Sequence, residues 1–428
     1  MSGGPTRWPS ALALVASLLG FAFSASSTLD YAKHLDRQIH DIHCSYIPGL
    51  GAEHAADNAC RAAMYSPYSA IFRDRYWGGV PISLFAVGAF AFFAAFSLYV
   101  LLAGWSAPRR AVQFLAVASL TPLLVSLVML FISATRIGQF CKTCVGIYIS
   151  SGLLATAGIA SLVIDRDEAR RVAPRPPRAG AGVPPTKIDE TAARDARRTG
   201  GFLLIPAWLA GLAAFTAAPA LLYLSALPNY GSYIHGCGKL EKPADPTNSL
   251  LKITTARSRV PVTMFVDPLC PTCKAFHKRL VAEGYFDQLD TTLVLFPLDS
   301  DCNWMLDRPV HPGSCVVSKA ILCAEHRARN VLEWAYDHQD EILAGAKAGA
   351  GIVNVRAMVR EKWPELDACV DGKDTERRLD RMLRYIVQNH LPVSTPQMFL
   401  SDTRLCDEDT DIGLAYTLKK LAPTLETK

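Results

Sequence analysis

Charged residues are scarce in this sequence. Aspartate, glutamate, lysine and arginine make up 19% of its 428 residues, against ~25% in ordinary soluble domains, and half of the chain is hydrophobic. That balance excludes a disordered or fibrous protein and places part of the chain in lipid. A strong excess of either sign is also missing. Lysine and arginine number 44 against 39 acids, for a net charge of +5, and the basic residues cluster in particular loops, so no nucleic-acid partner is expected. Mixed histidine and methionine clusters are missing around the cysteines, although Cys44 has His40 and His43 beside it. Without such clusters a metal-handling protein is the weaker reading, and no metal site is expected. Cysteine is plentiful, at twelve, and four of the twelve form two Cys-x-x-Cys pairs. That usage points to redox work, metal binding or an oxidising compartment.

Charge-free apolar runs of the length that crosses a bilayer, ~20 residues, recur along the first half. They are Pro9 to Leu29, Gly78 to Ala107, Ala111 to Thr135, Thr143 to Ile164, and a last one within 199–234, centred on Phe202 to Leu224. Each is expected to be a helix, because lipid offers backbone groups no other partner. Trp8, Trp77 and Trp105 flank these runs, as interface aromatics do. Arg7 followed by a short apolar core leaves a cleaved secretory signal as the alternative for the first run. Orientation follows from the basic loops. Arg109 and Arg110 join runs two and three, and nine lysines and arginines from Arg166 to Arg198 lie between runs four and five. With those loops cytoplasmic, the 29–77 loop, the 136–142 turn and everything after run five face outward. The Pro-, Gly- and Ala-rich stretch 172–186 reads as a flexible linker.

Beyond residue 260 a β-branched and aromatic run, Val-Thr-Met-Phe-Val, leads into Asp-Pro-Leu-Cys270-Pro-Thr-Cys273 and then a helical pattern. Cys270 thus opens a helix, where unpaired N–H groups and the helix dipole favour a thiolate, and Cys273 stands one turn away as its resolving partner. Further strands are expected at Thr292–Pro297 and Gln397–Leu400, the latter preceded by Thr395–Pro396. This region, roughly 255–425, resembles the thioredoxin superfamily in its periplasmic dithiol-oxidase and isomerase branch. The resemblance implies a cis Pro396 packed against the Cys-x-x-Cys and a helical insertion over 300–390. The other outer cysteines, Cys237, Cys302, Cys315, Cys323, Cys369 and Cys406, are expected to form structural disulfides, Cys302–Cys315 being the first candidate. His277, His311 and His326 are read as serving packing or solubility.

The second pair, Cys141-Lys-Thr-Cys144, stands where run four begins, with Lys142 and Arg136 nearby to favour thiolate. The outer loop contributes Cys44 and Cys60. Over residues 8–165 this constellation resembles the vitamin K epoxide reductase family, a four-helix membrane bundle whose bacterial members are often fused to a thioredoxin-like domain through a fifth span. The resemblance implies a quinone cofactor (ubiquinone or menaquinone) and matches Ser66, in Ser-Pro-Tyr-Ser, to the family's loop serine. It likewise matches Tyr148, four residues after Cys144, to the quinone-pocket tyrosine, and Gly79-Val-Pro-Ile-Ser83 to the entry of the second helix. Two features depart from the family. No asparagine occurs from Ala59 to Leu227 to hold the quinone carbonyl, and an Arg73-Asp-Arg-Tyr-Trp77 insertion lengthens the approach to run two.

The expected architecture is therefore multi-domain: an all-α transmembrane four-helix bundle (1–165), a cytoplasmic linker (166–200), a fifth transmembrane helix (201–226), and an α/β thioredoxin-like domain with a helical insertion (227–428). The expected activity is oxidative protein folding in a bacterial inner membrane, with the catalytic loops and C-terminal domain on the periplasmic side. Electrons would pass from secreted proteins with reduced cysteines through Cys270–Cys273, Cys44–Cys60 and Cys141–Cys144 to the membrane quinone pool. The alternatives are a thiol reductase or disulfide isomerase, and a membrane metal-handling protein.

Overall fold

The computed structural model describes residues 7–36, 42–47, 52–53, 59–104, 107–172, 203–349 and 351–426. His40, Trp105 and the linker beyond Val172, with its basic residues from Arg175 to Arg198, lie outside the described residues. The chain divides into two compact units, Met1–Phe72 with Gly79–Pro228, and Arg73–Gly78 with Asn229–Lys428.

The first unit is helical. Its described helices are α1 (Trp8–Lys33), α2 (Ala59–Tyr65), α3 (Ile82–Ala103), α4 (Arg109–Ala118), α5 (Leu120–Ile132), α6 (Lys142–Val172) and α7 (Leu204–Ala226). Among the described residues, five helical stretches are long and apolar enough to cross a membrane: Trp8–Asp36, Ile82–Ala103, Arg109–Ile137, Lys142–Asp167 and Leu204–Ala226. The first runs past Leu29, the end of the apolar run, and so carries Asp30 within it. The second starts later than the apolar run, because Gly79 takes a positive φ and extended Pro81 caps α3. The third is interrupted at Ser119 between α4 and α5 and ends in a π-turn over Ser133–Ile137.

Small residues let these helices approach closely, which is what holds apolar helices together where hydrophobic burial offers no preference. A Cβ on Gly20 of α1 would stand 2.4 Å from the Phe90 ring of α3, and one on Gly88 of α3 would stand 2.1 Å from the Phe215 carbonyl oxygen of α7. Phe92, Phe96, Phe114 and Trp208 add an aromatic cluster, with Phe96 and Phe114 centroids 5.1 Å apart and Phe96 and Trp208 5.3 Å apart. Two short ladders order the segment between α1 and α3: β1 (Ile42–His43) with β2 (Ala52–Glu53), and β3 (Ala70–Ile71) with β4 (Val80–Pro81).

The second unit is built on a mixed sheet of β5 (Leu251–Ile253), β6 (Val260–Val266), β7 (Leu289–Leu295), β8 (Gln397–Leu400) and β9 (Thr403–Arg404), ordered β5-β7-β6-β8-β9. Only β6 and β7 run parallel. They are joined through α8 (Pro271–Ala282), the crossover that a parallel pair requires. Central β6 reads as an apolar run because helices cover both faces of a central strand. The region between β7 and β8 is helical, including Ser314–Ala324, Ala328–Asp337, Gln339–Lys347, Ile352–Lys362 and Lys373–Gln388. Six cysteines of this unit pair, as Cys237–Cys406, Cys302–Cys315 and Cys323–Cys369.

Trp77 departs from the interface role expected of it. It is 3% exposed, its indole N–H donates to Asp409 at 2.9 Å, and its ring meets Tyr230 at 4.8 Å, all within the second unit. Arg73, at the other end of the insertion, pairs with buried Glu283 at 3.4 Å. An indole that has found a buried acceptor and an aromatic neighbour gains more there than at a lipid boundary.

Candidate functional site

In the first unit the folded loop brings four cysteines together. Cys44 follows β1, Cys60 opens α2, and the two form a disulfide. Cys141 immediately precedes α6, and its Sγ lies 3.1 Å from Cys60 Sγ. Cys144, one turn into α6, donates its backbone N–H to Cys141 Sγ at 3.3 Å. Cys141 and Cys144 are both unbridged. Cys141 therefore stands in line to exchange with the bridge through Cys60, and Cys144 stands where it can resolve the resulting mixed disulfide.

A cavity of ≈ 460 Å³ opens beside these sulfurs. Cys60, Cys141, Cys144, Ser66 and Tyr148 all line it, so every expected site residue of this unit except Cys44 reaches one space. Ser66 Oγ donates to the Ala63 carbonyl at 2.8 Å, which closes the end of α2. The walls are mostly apolar, with Phe85, Phe90 and Met129, and the hydroxyl-bearing residues that line the cavity include Tyr148, Ser126 and Ser133. A largely apolar pocket with a few convergent hydroxyl groups fits a flat, weakly polar ring such as a quinone head group. Two lining residues were not singled out from the sequence as site residues. Asp30, from α1, and His43, from β1, form a pair with Oδ1–Nδ1 2.7 Å. A carboxylate at the end of an apolar run was the available signal, since ionisable groups at such depth are costly.

In the second unit Cys270 caps the N-terminus of α8 with Pro271 at the first helical position, and Cys273 faces inward. Both are unbridged. The peptide bond Thr395–Pro396 is cis, and the Cys270 thiol lies 3.6 Å from the Thr395 carbonyl oxygen. The Cys273 thiol's hydrogen bond, helped by Thr395 and the Cys273 backbone N–H, outweighs burial and brings Cys270 down from 9.0 to about 6. Burial drives Cys273 well above that ordinary value. The pair is thus split into an attacking thiolate and a resolving thiol.

A buried polar group behind this pair was not anticipated either. Asp267, fully buried, accepts from the backbone N–H groups of Leu269 (2.8 Å) and Leu298 (2.9 Å), from the Ser314 hydroxyl, and from His311 Nδ1 at 2.7 Å. Burial works against a charged His311, but the Asp267 bond and charge prevail and raise it. His277 is a packing residue, buried edge-on against Phe286 with Nε2 3.2 Å from Glu333.

Residues 11–159 match the family model described as the vitamin K epoxide reductase family. Solved structures similar to the chain include alpha-DsbA1 of Wolbachia pipientis, at 14% identity over 37% of this chain and 78% of that one, with a TM-score of 0.28. They also include the catalytic domain of Proteus mirabilis ScsC, at 18% identity over 43% and 93%, with a TM-score of 0.28. A thioredoxin-like oxidoreductase from Silicibacter pomeroyi DSS-3 is similar at 17% identity over 38% and 84%, with a TM-score of 0.26. No curated protein matches the sequence. The family match of the first region, with unbridged cysteine pairs in both units, supports a disulfide oxidoreductase. Residues 11–159 are thus similar to the vitamin K epoxide reductase family, and the chain continues into a unit built on a mixed five-stranded sheet.

Proposed function

We propose that this protein is a quinone-dependent thiol:disulfide oxidoreductase that introduces disulfides into secreted proteins. A client dithiol reduces the Cys270–Cys273 disulfide and leaves with a new bond of its own. The Cys270 thiolate then attacks the Cys44–Cys60 bridge at Cys44, and Cys273 resolves the mixed disulfide. Cys60 next attacks Cys141 of an oxidised Cys141–Cys144 pair, releasing Cys144 as a thiolate, and Cys44 completes the transfer. Each exchange moves two electrons, and ~30 mV between couples corresponds to ~1.4 kcal/mol, so small steps set the direction.

The single observation that carries this reading is the 3.1 Å approach of Cys60 Sγ to Cys141 Sγ beside the cavity that Cys144 lines. The same contact favours Cys60 over Cys44 as the partner of the membrane pair and leaves Cys44 for Cys270. A quinone, when bound, supplies a two-electron acceptor that takes up two protons. Cys144 faces that space. Tyr148, Ser126 and Ser133 are the hydroxyls to hold the ring carbonyls, in place of the family's asparagine. The reading puts the helices in the bacterial inner membrane, with the cysteine-bearing loops and the C-terminal domain on the periplasmic side.

The test is anaerobic, with purified full-length protein, a reduced unfolded client and ubiquinone-1. Quinol formation is followed by absorbance for wild type and Cys144→Ala. Turnover in the wild type and its loss in the variant are expected. Equal rates in the two refute the assignment of Cys144 as the last sulfur.

A further inference from the structure

Asp30 is 3% exposed, and both of its carboxylate oxygens serve one residue. Oδ2 accepts the His43 backbone N–H at 2.9 Å, and Oδ1 lies 2.7 Å from His43 Nδ1. A carboxylate oxygen accepts, so Nδ1 is the donor of this contact and Nε2 is the ring nitrogen left for another partner. The backbone of His43 is held as well, its carbonyl accepting from Thr143 Oγ1 at 3.1 Å, from inside the Cys-Lys-Thr-Cys segment. His43 directly precedes Cys44 in the chain. Asp30 and His43 line the same cavity as Cys60, Cys141 and Cys144. A buried carboxylate that holds both the backbone and the ring of one histidine, in a cavity that three sulfurs also line, is a costly arrangement for a purely structural contact.

Resting on the relay above, we propose that His43 is the proton carrier of the Cys141–Cys144 dithiol and that Asp30 is its positioning residue. Oxidation of the dithiol forms one S–S bond and releases two electrons and two protons. The electrons go to the quinone. His43 Nε2 takes a proton from the thiol that must become a thiolate, delivers it to a quinone oxygen, and once discharged does the same for the second. Thiol hydrogens lost and quinol hydrogens gained then balance, and no charge is stranded in the apolar cavity.

The test uses reduced full-length protein in lipid nanodiscs under argon, with ubiquinone-1. His43→Ala is expected to slow single-turnover quinol formation ~10²–10⁴-fold, the usual worth of positioned acid–base help, and added imidazole is expected to restore the rate in proportion to its concentration. His43→Gln keeps an amide to donate to Asp30 but carries no proton, and is expected to be as slow. A second readout needs no quinone: labelling of Cys141 and Cys144 by methyl methanethiosulfonate should slow in His43→Ala and recover with imidazole. The Cys44–Cys60 bridge, mapped by mass spectrometry in the purified variants, reports that the loop is folded. Wild-type rates in both variants overturn the proposal, as does a loss that imidazole leaves unrestored while that bridge is intact. A wild type that reduces no quinone, yet shows the His43-dependent labelling, sinks the quinone reading alone and supports the proton role.

Discussion

Removing the Cys273 thiol while sparing Cys270 tests the origin of the Cys270 thiolate. Cys270 is brought down from 9.0 to about 6, with the Cys273 hydrogen bond as the largest cause. At pH 7 that raises the thiolate share from ~1% to ~90%, while a Brønsted coefficient of ~0.4–0.5 lowers intrinsic nucleophilicity ~16–32-fold, for a net gain of ~3–6-fold in attack rate. The depressed value also stabilises the folded, reduced form. That contribution is complete above pH 9 and disappears as pH falls through about 6. At pH 7 it amounts to ~1.4 kcal/mol, or ~30 mV toward a more oxidising disulfide. The assay is iodoacetamide labelling of Cys270 against pH, located by peptide mass spectrometry. Wild type should show a midpoint of about 6, set mainly by the Cys273 hydrogen bond. Cys273→Ser keeps a hydroxyl donor and should stay low, whereas Cys273→Ala should move up. A midpoint that stays put in Cys273→Ala refutes the hydrogen-bond argument.

Other outcomes follow from the packing and from the sulfur geometry. Cys144→Ala leaves Cys141 without its resolving partner, so non-reducing peptide maps should contain a Cys60–Cys141 adduct; a Cys44–Cys141 adduct would reverse the order within the loop pair. Gly88→Val drives a side chain into the α7 backbone and should cost ~1–3 kcal/mol in detergent unfolding, whereas Gly152→Ala meets nothing within 4 Å and should be neutral. Glu283 is buried between Arg279 at 3.1 Å and Arg73 at 3.4 Å. Glu283→Gln removes the carboxylate charge that sits between two guanidiniums, a change expected to cost ~3–5 kcal/mol in urea unfolding. Cys323 and Cys369 are 46 residues apart. Replacing both with serine should cost ~4 kcal/mol by loop-closure entropy.

Much of the site was legible because its chemistry is local. A Cys-x-x-Cys after a strand and before a helix specifies its own thiolate, and Thr395–Pro396 just before β8 marked the other wall. The structural pairing of Cys302 with Cys315 was equally visible, since thirteen residues separate them. Cys237–Cys406 was not, because the two are 169 positions apart and only the sheet edge brings them together. Edge strands β5 and β9, three and two residues long, are too short to show a period of two. Asp30 escaped notice because it lies just past the charge-free stretch, and His311 because its partner Asp267 is 44 residues away.

Composition and motif spacing alone determined the membrane-length helices and pointed to the two Cys-x-x-Cys pairs, since apolar run length and Cys-x-x-Cys spacing act over a few turns of chain. Tertiary structure decided which sulfur meets which, that Trp77 is buried rather than interfacial, and that Asp30 grips His43 beside the cysteines. Those outcomes depend on distances between residues far apart in the chain, and such distances are set by helices packing through Gly20 and Gly88 and by a sheet that closes around β6, not by any local pattern.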